Sequence, residues 1–156
     1  MFDLILVVAI VTNGLLAGLF FAFTCAISPA FRRVDDATYV SAFRAINAAI
    51  LNGWFLTVFF VAPLSSLVSS VFVLWKDGSA SVILVLAGAV CSALTFGITA
   101  AANVPLNRLL EQSPTGTIAQ QTNARRDFED RWNRWNLART LTSSGTLAFL
   151  AAALAG

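Results

Sequence analysis

The chain has 156 residues, 58% of them hydrophobic and only 12% charged, with a mean hydropathy of +0.77. Soluble domains carry about a quarter charged residues, so a water-soluble globular fold is excluded. The formal net charge of +2 gives no support for nucleic-acid binding, and the absence of histidine removes the usual axial ligands of haem and the nitrogen ligands of copper, zinc and non-haem iron.

Four apolar runs follow in chain order. Leu4 to Ile27, Trp54 to Trp75 and Val82 to Ala102 hold no charge, and Leu137 to Leu154 holds only Arg139. Each approaches the roughly 20 residues that a helix needs to cross a hydrocarbon core. The first run lacks a basic leader, since Asp3 is its only charge, and its apolar stretch is too long for a signal peptide, so it is expected to be a retained helix. The reading is an all-α membrane protein. It is one four-transmembrane-helix domain over residues 1–156, with spans near 4–28, 54–76, 80–103 and 135–155.

Within the first span, Gly14 and Gly18 form a small-x-x-x-small pattern that predicts a face packed on protein, and Asn13 beside them is expected to bridge helices. Cys25 and Cys91 fall within apolar helices with no C-x-x-C pair, which reads as plain packing. After a turn at Pro29, a helix restarts near Asp35 or Asp36. Tyr39, Phe43, Ile46, Asn47, Ile50 and Trp54 then recur at helical spacings on one face. This helix is expected to run on into the second span, with Gly53 as a weak point. "KDGSA" is a tight link to the third span. Pro105 within "NVPLN" is expected to kink or end the third helix, and "QSPTGT" marks a turn before a last helical restart.

The basic residues orient the bundle. Arg32, Arg33, Arg44, Arg108, Arg125, Arg126, Arg131 and Arg134 all lie in the two long, partly helical loops, against Lys76 alone on the other side. The positive-inside rule places both loops in the cytoplasm and both termini outside, in what is expected to be a bacterial inner membrane.

Three polar stripes converge at the loop end. Ser92, Thr95, Thr99, Asn103 and Asn107 share one face of the third helix, and Trp132, Asn136, Arg139, Ser143 and Thr146 one face of the fourth, with Trp135 alongside. Asn47 and Trp54 lie seven residues apart on the helix leading into the second span. Taken singly, such residues serve as aromatic belts, snorkelling cations and helix bridges. Their shared face and depth suggest a pocket between helices, and an arginine one turn inside the membrane needs a cavity or a partner. Arg139 is therefore expected to face inward, within hydrogen-bond reach of Asn103, Asn107 or Asn136. Glu129 is the acid nearest that face, and its simplest role is as the i,i+4 partner of Arg125.

The combination of "NVPLN" with "ARRDFEDRWNRWNLARTL", preceded by "SPAF" and "INAAILNGWF", resembles the anthrone oxygenase family over essentially the whole chain. The resemblance implies oxidation of an anthrone to an anthraquinone by O2, with no bound cofactor and no metal. Arg139, Asn136, Asn103 and Asn107 would then form the catalytic group, and Trp132, Trp135, Trp54 and Asn47 would bind substrate. Expected partners are membrane lipid, a planar aromatic small molecule and O2, with no nucleic acid; a homo-oligomer is an open alternative. The rival reading is a non-catalytic membrane protein that binds a lipid or quinone, or supports a membrane complex.

Overall fold

Short polar caps, rather than breaks in hydrophobicity, start three of the helices in the computed structural model, which describes residues 2–75 and 81–156. The "KDGSA" link, with Lys76, lies outside the described residues. Among those described there are five helices: α1 (Phe2–Phe31), α2 (Asp36–Ile50), α3 (Gly53–Leu74), α4 (Ser81–Gln112) and α5 (Ile118–Ala155). All but α2 are long and apolar enough to cross a membrane, so the chain is an all-α membrane bundle.

Asp35 caps α2, accepting from the Thr38 amide at 2.9 Å and the Thr38 hydroxyl at 2.7 Å. Those bonds hold its carboxyl below the usual range. Thr117 caps α5 in a reciprocal capping box with Gln120. A third cap corrects an expectation. Helix α2 does not continue into the second span: it ends at Ile50, and Asn52 starts α3 afresh by accepting from the Phe55 amide at 3.0 Å.

The prolines also behave differently from expectation. Pro105 neither ends nor sharply breaks its helix. A π-helical turn over Thr99–Asn103 precedes it, in which the Val104 amide reaches back to the Thr99 carbonyl. The wider turn leaves room for the proline ring and accommodates its missing donor. Pro29 is handled in the same way, by a π-helical turn over Phe23–Ile27 with the Ser28 amide bonded to the Phe23 carbonyl.

The spanning helices pack in the ring order α1, α3, α4, α5 and back to α1, while α2 lies against α5 and the end of α4. Polarity is inverted relative to a soluble bundle. Ser66, Ser92, Thr95, Thr99, Ser143 and Thr146 are buried, whereas Leu15, Phe21, Leu64, Leu67, Ile83 and Val90 are exposed. That is the arrangement lipid requires: inside, Ser66, Ser92 and Thr95 bond across helices while Thr99, Ser143 and Thr146 bond back to carbonyls of their own helix, and apolar side chains lie outside. Asn13 bridges as expected: its amide donates to the Ala62 carbonyl (3.3 Å) and Ser66 Oγ (3.1 Å) on α3, and its oxygen accepts from Ser92 Oγ on α4 at 2.8 Å. The glycine expectation is only half met. A Cβ on Gly14 would touch Leu147 at 3.5 Å, but Gly18 is exposed with nothing within 4 Å of such a Cβ. Cys25 is likewise exposed, not packed, and Cys91 is half-buried.

At the loop end, Phe23, Tyr39, Phe43, Phe128, Trp132, Leu106 and Leu110 form one apolar cluster that joins α1, α2, α4 and α5. It is the platform on which the polar residues sit.

Candidate functional site

Arg139 sits on the inward face of α5 and is only 6% exposed. Its guanidinium carbon lies 4.2 Å from the Phe20 ring centroid and 5.1 Å from that of Trp132. Nη2 donates to Asn136 Oδ1 at 3.1 Å, and Nε has no partner. Among the described residues no carboxylate lies within ion-pairing distance of it. A guanidinium with five N–H donors is thus held mainly by two aromatic faces and one amide.

Asn136 is fixed in turn, donating to the Phe20 carbonyl at 3.0 Å and Thr24 Oγ1 at 2.8 Å. Asn103 is fully buried, with its Nδ2 3.4 Å from the Trp132 carbonyl and its oxygen unpartnered. Trp132 Nε1 donates to Asn107 Oδ1 at 2.8 Å. The structure therefore brings Arg139, Asn136, Asn103, Asn107 and Trp132 into one connected group. Trp132 is the hinge of that group. It touches Arg139 with its ring, Asn107 with its indole nitrogen and Asn103 with its carbonyl.

Aromatic contacts lock the Trp132 ring. Phe43 meets it at 4.8 Å and Phe23 at 5.2 Å between centroids. Tyr39 packs beside Phe43 at 5.6 Å, where burial raises its phenol further above the ordinary range and keeps it neutral.

Two openings flank this closed group. One is a groove of about 430 Å³ between α2 and the end of α4, with Ala48, Ile50, Leu51 and Val104 as apolar walls. Asn47 and Asn107 supply amides to it, and the buried Nδ2 of Asn47 has no partner. The other is a cleft of about 360 Å³ between the end of α1 and α5, where Asn136 forms part of the wall. Both volumes lie within the roughly 300–1,000 Å³ typical of small-molecule pockets.

The remaining predicted residues stand apart. Trp135 is 45% exposed and Trp54 is 88% exposed, and neither lines the groove or the cleft. For Trp54 the cause is the helix break at Leu51 and Asn52, which turns α3 out of the face carried by Tyr39, Phe43 and Asn47. Glu129 does pair with Arg125, at 2.7 Å. The sequence reading missed Arg108 and Glu111 in the groove wall, and Arg32 and Asn133 in the cleft. Glu111 lies one turn beyond Asn107 on the extension of α4 past Pro105, so it was legible only once that helix was known to continue.

Residues 52–151 match the family model described as anthrone oxygenase. The chain belongs to the anthrone oxygenase family. No curated protein and no solved structure matches it. The region shared with the family model carries Asn103, Asn107, Trp132, Asn136 and Arg139, while α1 and α2, which supply Phe20, Thr24 and Asn47, precede it.

Proposed function

We propose that this protein is a membrane enzyme that oxidises a planar, phenol-bearing anthrone-type ketone to the quinone with O2 and without a bound cofactor. The observation that carries this reading is Arg139, a buried cation with no carboxylate in ion-pairing reach among the described residues, set against one end of an aromatic platform. A protein that must stabilise a delocalised oxyanion needs positive charge not already neutralised by an acid. The α2–α4 groove suits the flat ring system, with the free Nδ2 of Asn47 and the Asn107 amide placed for its oxygens. Arg139 acts from behind Trp132, as a positioning residue whose charge favours the anion.

The chemistry balances without a further reductant. Glu111, the carboxylate lining the groove, takes a proton from the methylene carbon and leaves an extended anion. One electron passes to O2, and the resulting radical and superoxide join in a new C–O bond. The peroxide recovers the proton from Glu111. Loss of the second C–H proton and cleavage of the O–O bond then yield the ketone and one water. Each turnover consumes one O2 and puts one of its atoms into the product.

An oxygen electrode with emodin anthrone tests the reading. Uptake is expected to exceed the spontaneous rate, and Glu111→Gln to lower kcat by about a hundredfold with little change in KM. Binding without acceleration, across several anthrones, would leave the non-catalytic ligand-binding reading in its place.

The loop end is assigned to the cytoplasm of a bacterial inner membrane, on the excess of arginine over the single Lys76 opposite. A reporter fused after Gly156 is therefore expected to behave as exported. Cytoplasmic activity of that fusion would reverse the orientation.

A further inference from the structure

The cleft between α1 and α5 has a composition that anthrone oxidation does not use. Arg32, just past the end of α1, and Arg134 on α5 line it from opposite sides, with Ser28, Pro29, Asp130, Asn133 and Leu137. Among the described residues neither arginine has a side-chain hydrogen bond or a carboxylate within 4.0 Å, Asp130 included. Asn133 accepts from Ser28 Oγ at 2.7 Å, which fixes its amide, yet its buried Nδ2 has no partner. Two arginines without partners among the described residues and an asparagine with an unpartnered amide nitrogen thus line one cleft of about 360 Å³. Depth supplies the remaining argument. Leu137 opens the charge-poor run of α5 and Pro29 closes that of α1, so the cleft lies where apolar helix gives way to charged loop. That is the level of lipid phosphates.

We propose that this cleft binds the phosphate of an anionic headgroup, with Arg32 and Arg134 gripping the oxygens through charge-assisted bonds and Asn133 donating a third. Asp130 opposes a dianion and so favours the singly charged diester of a phospholipid over a free phosphate. Acyl chains leave the cleft along Leu137 and the lipid-facing side of α5. Because Asn136 lines the same cleft and holds Arg139, an occupied headgroup site steadies the amide on which the buried guanidinium depends.

The test uses the full chain, delipidated in a neutral detergent and titrated with phosphatidylglycerol, phosphatidylcholine or inorganic phosphate, with binding read by native mass spectrometry. Phosphatidylglycerol is expected to bind preferentially, and the Arg32→Gln/Arg134→Gln pair to weaken it about thirtyfold, the equivalent of two interfacial arginine contacts. An Arg33→Gln/Arg126→Gln pair removes the same charge outside the cleft and is expected to leave affinity close to the parent. Asn133→Leu, with no change of charge, is expected to weaken binding severalfold. Inorganic phosphate that binds as tightly as the lipid, with the same dependence on Arg32 and Arg134, would make the source a soluble phosphate ester at the same site. Equal loss in the two double variants, or equal retention of both lipids, would overturn the proposal.

Discussion

Replacing Arg139 with methionine is expected to hold stability within about 2 kcal/mol of the parent while lowering kcat/KM by about ten- to a hundredfold. The stability half follows from opposing terms. Removing the guanidinium forfeits two desolvated cation–π contacts, with Phe20 and Trp132, worth about 1–2 kcal/mol each. It also leaves Asn136 Oδ1 without its donor, at about 1–3 kcal/mol. Against this, a buried arginine costs about 2.5–3.5 kcal/mol to insert at membrane depth, and its unpartnered Nε adds to that burden. At their midpoints, about 5 kcal/mol lost against about 3 kcal/mol regained, the terms leave a net loss of about 2 kcal/mol. An arginine kept for stability behaves otherwise, since breaking a true buried ion pair costs about 3–5 kcal/mol.

The activity half follows from the field. Arg139 does not line the groove, so its charge reaches the anion across Trp132, and the stated range of rates corresponds to about 1.4–2.8 kcal/mol of anion stabilisation. Arg139→Lys sharpens the comparison. It keeps the charge but loses the planar group that lies over two rings, and its compact ammonium is more strongly hydrated. It is expected to insert yet bind an aromatic anion more weakly than the parent. Equilibrium unfolding and steady-state kinetics on the same preparations decide the matter. A methionine variant that unfolds easily yet turns over normally would make Arg139 a structural residue.

The apolar runs made α1, α3, α4 and α5 legible, because no other element buries or presents so many uncharged residues in sequence. The inward polar stripe of α5 was legible for the same reason: residues three and four apart share a face. The same periodicity misled at two tryptophans. Trp135 lies three residues from Trp132, which turns it about 60° round the helix, and that rotation carries it out of the packed face. Trp54 keeps helical spacing with Ile50, but Asn52 starts a new helix between them, and spacing means nothing across such a break. The "NG" pair carried that signal, yet a periodicity count weighs only apolar positions. Pro105 marked a real perturbation but gave no hint that a π-helical turn would absorb it and carry Glu111 to the groove wall. The closure around Arg139 was also hidden, since Phe20 and Thr24 come from α1 and no local pattern links them to α5.

The other large effect is expected at Gly88→Val, with a loss of about 3 kcal/mol. Helices α4 and α5 are in contact here. A Cβ added at Gly88 would lie 2.6 Å from Leu150 Cδ2 and 2.8 Å from its Cγ. Leu150 cannot swing aside, because it is fully buried among Leu6, Ala9, Val73, Val85 and Ala153. A β-branched side chain must therefore push the helices apart, not merely rotate a neighbour. Leu150→Ala alone is expected to cost about 2–5 kcal/mol through the cavity it leaves. Combined with Gly88→Val it should cost at least about 1 kcal/mol less than the sum, since the new methyls fill that space. The displacement should also reach the loop end. Asn103 on α4 meets the Trp132 carbonyl on α5 at 3.4 Å, already a long bond, and a wider α4–α5 gap breaks it first. The expected signature is a less-than-additive loss of stability in the double variant, with KM recovered alongside it. Simple additivity of the two single losses would show that Gly88 does not set the distance between these helices.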